Sequence, residues 1–217
     1  MTDKSSTLLT SIYNSRNTIL KHSENLDFQI ENSLGVGITE LNEMYLNDQL
    51  DMEFEKKEPD PSTGNKQKIY IKYFVKGTLR PNTIYSLYED IFITEEILSK
   101  NDILVIVMNA EINEPIQNML KEIFEKNNVL IVVHSLKRLQ FNIFDNNYAL
   151  PHRILNETES IQISKKYNIM DPTQYPTISR FDPIAQAICM KPDQICEITR
   201  RNKKTLKSSY YRRCVNQ

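Results

Sequence analysis

The run Asp102–Met108, D-I-L-V-I-V-M, carries no polar side chain after its first residue. Its length and its β-branched residues make it a strand, and a strand apolar on both faces belongs in the middle of a covered sheet. Its neighbours fit such a sheet. Lys68–Val75, K-I-Y-I-K-Y-F-V, alternates like a half-buried strand. Asn128–Val133 reads as another buried strand. Between them, Thr83–Ile91 puts Ile84, Leu87, Tyr88 and Ile91 on one helical face. Pro115 suits the first turn of a helix running to Glu125, because its fixed φ and missing N–H cost little there. Strand, helix, strand, helix, strand is an α/β unit with at least three strands on one core.

The flanks are less regular. Ser5–His22 reads as an amphipathic helix through Leu9, Ile12, Tyr13, Ile19 and Leu20, with Arg16 snorkelling to the edge of that stripe. Ile38–Leu50 is a weaker helix with Thr39 as candidate cap. Asp51–Lys68 is acidic, bears Pro59, Pro61 and Gly64, lacks periodicity, and reads as a loop or mobile insertion. Ser135–Leu139 reads as a helical turn and Phe141–Phe144 as a short strand. A domain end is expected at Asn146-Asn147.

A second, compact unit follows. Asn156–Tyr167 is a helix with Asn156 and Glu159 placed as a capping box. Met170–Pro176 is a turn. Asp182–Cys189 is a short helix with Asp182 as N-cap and Pro183 at the first helical position. Gln194–Arg200 and Ser209–Val215 alternate like strands, and the basic stretch Arg201–Lys207 reads as the loop between them, a solvated turn or a segment able to hold phosphate.

Charge separates the same two regions. Residues 149–217 hold 12 Lys+Arg and 6 Asp+Glu, against 15 and 22 in residues 1–148, although the whole chain of 217 residues has a formal charge of −1. A basic domain suits nucleic acid or an acidic protein surface. No apolar run approaches the roughly 18–20 residues that cross a bilayer. The three cysteines form no C-x-x-C pair, so buried free thiols in an intracellular protein are expected.

Catalytic signals are sparse. His22, His134 and His152 have no ligand-like spacing to each other or to a cysteine. No G-x-S-x-G, phosphate loop or G-x-G-x-x-G occurs among four glycines. The alternative enzyme reading is a metal-dependent nuclease, which needs an acidic-x-Lys element on a strand. Its match, Glu55-Lys56-Lys57, falls in the charged stretch. No cofactor and no metal site is implied.

The C-terminal motifs resemble a known family. Leu150-Pro151-His152-Arg153, Lys166-Tyr167 and Tyr175-Pro176-Thr177-Ile178-Ser179-Arg180-Phe181-Asp182-Pro183-Ile184-Ala185 are similar to L-V-P-x-H, K-Y and L-P-x-I-x-x-x-D-P-V-A. The ending Glu197-Ile198-Thr199-Arg200 … Tyr210-Tyr211-Arg212-Arg213 is similar to I-x-R … Y-x-x-Y-R. These belong to the fifth subunit shared by eukaryotic RNA polymerases I, II and III. The corresponding small subunit of archaeal polymerases is similar to this part alone. Ile12–Leu20 resembles the family's opening L-Y-R-x-R-x-T-x-x.

The resemblance implies two domains: an α/β jaw domain, 1–147, with a mixed sheet and flanking helices, and a small α+β assembly domain, 148–217. It implies a non-catalytic subunit working in transcription, with polymerisation left to other chains. The largest subunit would dock at His152, Arg153, Arg180, Asp182, Pro183, Tyr211 and Arg212. Asn113 and Pro115 would lie near downstream duplex DNA. Other polymerase subunits are the remaining partners, and no membrane is involved. The location implied is the nucleus. Abundant Ile, Asn and Lys, as an AT-rich coding sequence gives, together with divergence suit a large DNA virus or a protist; in a virus the protein would lie in the virion and host cytoplasm. The family's glycines are missing near the last strands; Pro192-Asp193 there is expected to make a type I turn without positive φ.

Overall fold

The computed structural model describes residues 2–59, 64–202, 204 and 206–217. The chain divides into two compact units, Met1–Asn142 and Ile143–Gln217.

The first unit contains α1 (Thr2–Asn25), α2 (Ile38–Leu46), β1 (Met52–Glu55), β2 (Lys68–Phe74), α3 (Pro81–Glu89), β3 (Ile103–Met108), α4 (Glu114–Asn127) and β4 (Leu130–Ser135). The sheet order is β1-β2-β3-β4. β2, β3 and β4 are parallel, and β1 is antiparallel on the edge. Every residue of β3 and β4 is buried, as the apolar runs require. α3 and α4 are the crossovers and pack on each other. Asp102 fixes where the sheet starts: its carboxylate accepts from Lys68 N at 2.7 Å and from Ser99 N and Oγ, both at 2.7 Å.

Several expectations are corrected. The stretch after Asp51 is not all loop. Met52 and Phe54 turn inward, while Glu53 and Glu55 face out and meet Lys68 at 2.9 and 3.6 Å. Asp51 anchors this edge strand by accepting from Tyr73 N at 2.9 Å and Lys72 Nζ at 2.7 Å. Charge hid a period-2 strand. Pro61 lies outside the described residues. α2 stops at Leu46, and its N-cap is Gly37 with no side-chain cap, so Thr39 is not the cap. α3 continues into a π-turn, Asp90–Thr94. Phe141–Phe144 is not a strand: the chain makes a 3-10 turn at Ile143–Asp145. Polar side chains hold this region to α1 instead. Gln140 Nε2 donates to Ser11 O at 3.1 Å, and His22 Nε2 meets Asn142 Oδ1 at 3.1 Å.

Arg16 does not snorkel. It is 4% exposed, and its Nε and Nη1 have no hydrogen-bond partner among the described residues. Burial pulls its pKa down, opposed by Tyr73 and Glu40.

The second unit contains β5 (His152–Ile154), α5 (Glu157–Lys166), β6 (Thr177–Ser179), α6 (Pro183–Ala187), β7 (Ile195–Asn202) and β8 (Leu206–Val215). Its sheet order is β5-β7-β8-β6, antiparallel except for the parallel β8–β6 pair. Arg201, Asn202, Leu206 and Lys207 of the expected basic loop pair as strand, while Lys203 and Thr205 lie outside the described residues. The sheet's two faces differ. Ile195 and Tyr211 face a small core with Leu155, Tyr175, Ile163 and Ile169. Cys196, Ile198 and Cys214 face the other way and are buried, with Cys214 Sγ 4.0 Å from Met190 O. Burial pushes the Cys189 and Cys214 thiols up to about 12 and raises that of Cys196, and all three are buried and unbridged. Missing glycines leave strain behind. Asp193 sits at φ 70°, so the Lys191–Gln194 turn is of type II character, not type I. Leu206 enters β8 at φ 61°.

Two outcomes are expected for the first unit. Arg16→Met keeps the apolar stem and removes a buried unpaired charge, so the melting temperature should hold or rise; a fall of several degrees would show that the charge is needed. His134, on β4, has its pKa pushed down from 6.5 to about 3 by burial, then by His22 and Arg138. Below 6.5 the unfolded chain takes a proton that the native chain refuses. Its stabilising contribution is therefore full above pH 6.5 and declines toward pH 3, by up to about 1.4 kcal/mol per pH unit. Urea titrations at pH 7 and pH 5 should show the gap between wild type and His134→Gln narrowing at the lower pH; a constant gap refutes this.

Candidate functional site

The second unit's sheet places the expected contact residues by register. His152 opens β5 opposite Ile198, Arg153 lies opposite Glu197, and Glu197 lies opposite Tyr211. Side chains directly across a ladder share a face. Arg153, Glu197 and Tyr211 thus form a row: Arg153 Nη2 is 3.0 Å from Glu197 Oε2, and Tyr211 OH donates to Glu197 Oε1 at 3.3 Å. Arg153 Nη1 also reaches Glu159 at 2.7 Å. Glu159 closes the capping box of α5, accepting from Asn156 N at 3.0 Å while Asn156 Oδ1 accepts from Glu159 N at 2.8 Å. The arginine therefore joins the helix start to the middle of the sheet. Its pKa is raised by Glu159 and then Glu197. The Glu197 carboxyl is lowered, first by the Ser209 hydroxyl and then by Arg153. Tyr167 from the end of α5 stands 5.8 Å from the Tyr211 ring.

Sequence reasoning does not single out Glu197; its one sequence signal is that it is an acidic residue inside a basic segment. Its pairing with Tyr211 appears only in the register.

The remaining expected residues are spread around this unit. His152 donates from Nδ1 to Leu150 O at 2.7 Å. By register it shares the face of Tyr210 and Arg212, opposite the Arg153 row. Arg212 Nη1 donates to Thr177 O at 3.4 Å, and its guanidinium lies 5.6 Å from the Tyr210 ring. Arg180 is 5% exposed, not a surface cation; it donates to Asn216 Oδ1 at 3.0 Å, and burial lowers its pKa to about 10. Asp182 caps α6, its Oδ1 accepting from Ile184 N at 2.9 Å, and Pro183 stands exposed beside it.

Asn113 and Pro115 belong to the first unit. Asn113 Oδ1 accepts from Ile116 N at 3.2 Å and so caps α4, with Pro115 in its first turn; both residues are exposed. Glu55, of the acidic-x-Lys match, ends the edge strand β1 and reaches Lys68. Among the described residues, no three His, Cys, Asp or Glu are grouped to hold a metal ion. No described helix is long and apolar enough to cross a membrane.

The arrangement is one of caps, ladders and ion pairs holding a small sheet rigid. A family model described as RNA polymerase Rpb5, C-terminal domain, matches residues 141–215, nearly the bounds of the second unit. DNA-directed RNA polymerase subunit Rpo5 of Aeropyrum pernix is 41% identical over 70 residues, 32% of this chain and 77% of that protein. The Rpo5 subunit of Pyrococcus horikoshii is 41% identical over 73 residues, 34% of this chain and 88% of that protein. DNA-directed RNA polymerase V subunit 5A of Arabidopsis thaliana is 25% identical over 149 residues, 69% of this chain and 63% of that protein. The chain belongs to the Rpb5/Rpo5 family and is a non-catalytic subunit of a DNA-directed RNA polymerase.

Proposed function

We propose that the chain works in transcription by docking its C-terminal domain, 148–217, on the largest polymerase subunit, while 1–147 forms part of the jaw beside downstream duplex DNA. The observation that carries this reading is the match of residues 141–215 to the Rpb5 C-terminal domain, nearly coextensive with one closed structural unit. The archaeal Rpo5 subunits are matched over 77% and 88% of their length by stretches of only 70 and 73 residues. A unit of that size therefore makes up most of a polymerase subunit in those organisms.

The docking residues divide by exposure. His152, Arg153, Pro183, Tyr211 and Arg212 offer at least part of their surface to a partner. Asp182 acts on the partner through the start of α6, and Arg180 through the chain end at Asn216. Asn113 and Pro115 set the entry of α4 toward DNA, with contacts to phosphate that would be independent of base sequence. In a eukaryotic source the location is the nucleus. No specific observation favours the nuclease reading.

The second unit should fold alone. A tagged 143–217 fragment is expected to co-purify with the largest subunit; capture by 1–142 but not by 143–217 would reverse the assignment. Asp182→Ala removes a cap worth about 0.5–2 kcal/mol. Combined with Pro183→Ala, it should lower both the melting temperature and the amount of subunit incorporated. Transcription per incorporated subunit should stay at the wild-type level. An unchanged melting temperature with a collapsed normalised rate would place chemistry at this pair.

A further inference from the structure

The β7–β8 ladder outruns its neighbours. β5 pairs with β7 no further out than Ile198, and β6 pairs with β8 no further out than Arg213. Beyond them the two strands continue alone through Arg200↔Ser208, Arg201↔Lys207 and Asn202↔Leu206. Arg200, Arg201, Asn202, Lys204, Leu206 and Lys207 are all exposed. The result is a two-stranded extension whose described cations are exposed on both faces.

Its charge is one-sided. From Ile198 to the chain end there is no acidic residue. Several of this unit's acids are held elsewhere: Glu159 and Glu197 on Arg153, Asp171 and Asp182 on helix starts, Asp193 near Arg213. Among the described residues no carboxylate pairs with Arg200, Arg201, Lys204 or Lys207. Arg200 stacks instead on the Tyr210 ring at 4.1 Å. Arg201 and Lys207 stand directly across the ladder, and like charges so placed repel.

We infer that this arm is a nucleic-acid contact that inserts into a duplex groove and binds phosphates through Arg200, Arg201, Lys204 and Lys207. Consecutive strand residues point to opposite faces. Arg200 therefore serves one face, and Arg201 with Lys207 the other. A flat acidic protein surface would engage one face and leave the other's charge uncompensated, whereas a groove offers a phosphate wall on each side. The dimensions agree. Two strands lie about 5 Å apart, and the major groove of B-form DNA, about 12 Å wide, admits a two-stranded ribbon. Phosphates on both sides also relieve the Arg201–Lys207 repulsion. Such contacts read no base sequence.

The test uses the purified full chain and a labelled duplex of arbitrary sequence, with binding read by fluorescence anisotropy from ~50 to ~200 mM salt. It needs no polymerase, so its failure would leave the docking proposal standing. Wild type should bind weakly, with an affinity that falls steeply as salt rises. Arg201→Gln/Lys207→Gln should weaken binding and flatten the salt slope by about 1.8, two contacts at about 0.9 each. Lys165→Gln/Lys166→Gln, an equal loss of charge on α5, should leave both unchanged. Melting curves confirm that each variant is folded. The inference is overturned if wild type shows no salt-dependent binding, if the arm variant matches wild type, or if both variants lose equally.

Discussion

In the second unit every other element hangs on the antiparallel ladder between β7 and β8. β5 adds to its one edge and β6 to the other, each over only three residues. A three-residue strand cannot stand by itself and needs a longer template. The ladder supplies it, and its two faces set the core: Ile195 and Tyr211 toward the α5 side, Cys196, Ile198 and Cys214 toward the other. A unit this small has little hydrophobic area in reserve. Its local strain therefore has to be carried by this frame. Positive φ values at Cys189, Asp193 and Leu206 all lie on the chain leading into or between the two strands.

Polar side chains take over where apolar area is short. Asn156 with Glu159, Asp171 with Gln174, and Asp182 each close a helix or turn that would otherwise leave backbone N–H groups bare. Arg153 ties one of those caps to the sheet through Glu197. The ion pairs are solvent-facing and individually weak. Their value is geometric: they link a helix start, an edge strand and the central ladder, so the surface offered to a partner keeps one shape. That suits a subunit whose contribution is form rather than chemistry.

What could be read in sequence followed length and pattern. β3 and β4 are continuous apolar runs, β2 alternates, and the starts of α4, α5 and α6 carry Asn113-x-Pro115, Asn156 with Glu159, and Asp182-Pro183. Those signals are local and strong. β1 was hidden because Glu53 and Glu55 gave Met52 and Phe54 the look of an acidic loop. β5 and β6 are too short to show a period. Phe141–Phe144 carries strand-like residues, yet Gln140 and Asn142 tie the region to α1, and tertiary contacts override propensity there. Arg16 sits on a helical stripe, where sequence cannot distinguish an edge from a centre. At the site, the alternation of Ser209–Val215 is legible and places the consecutive residues Tyr211 and Arg212 on opposite faces. The link through Glu197 needed the register, which no spacing along a single chain reveals.

The same register bears on the arrangement of charge. Caps and ion pairs that rigidify the second unit use its few carboxylates near the body of the sheet. Among the described residues, Arg200, Arg201, Lys204 and Lys207 beyond that region pair with no carboxylate, and the ladder carries them outward from the body of the sheet. Compact proteins usually intersperse charges of both signs on their surface, and natural edge strands often carry a lysine to discourage pairing with other chains. A single lysine would suffice for that protection. Cations on both faces of the arm, with two directly opposed across the ladder, exceed what protection requires and cost stability in the isolated chain. A segment that weakens its own fold in this way is best accounted for by an anionic surface that it meets in the working complex.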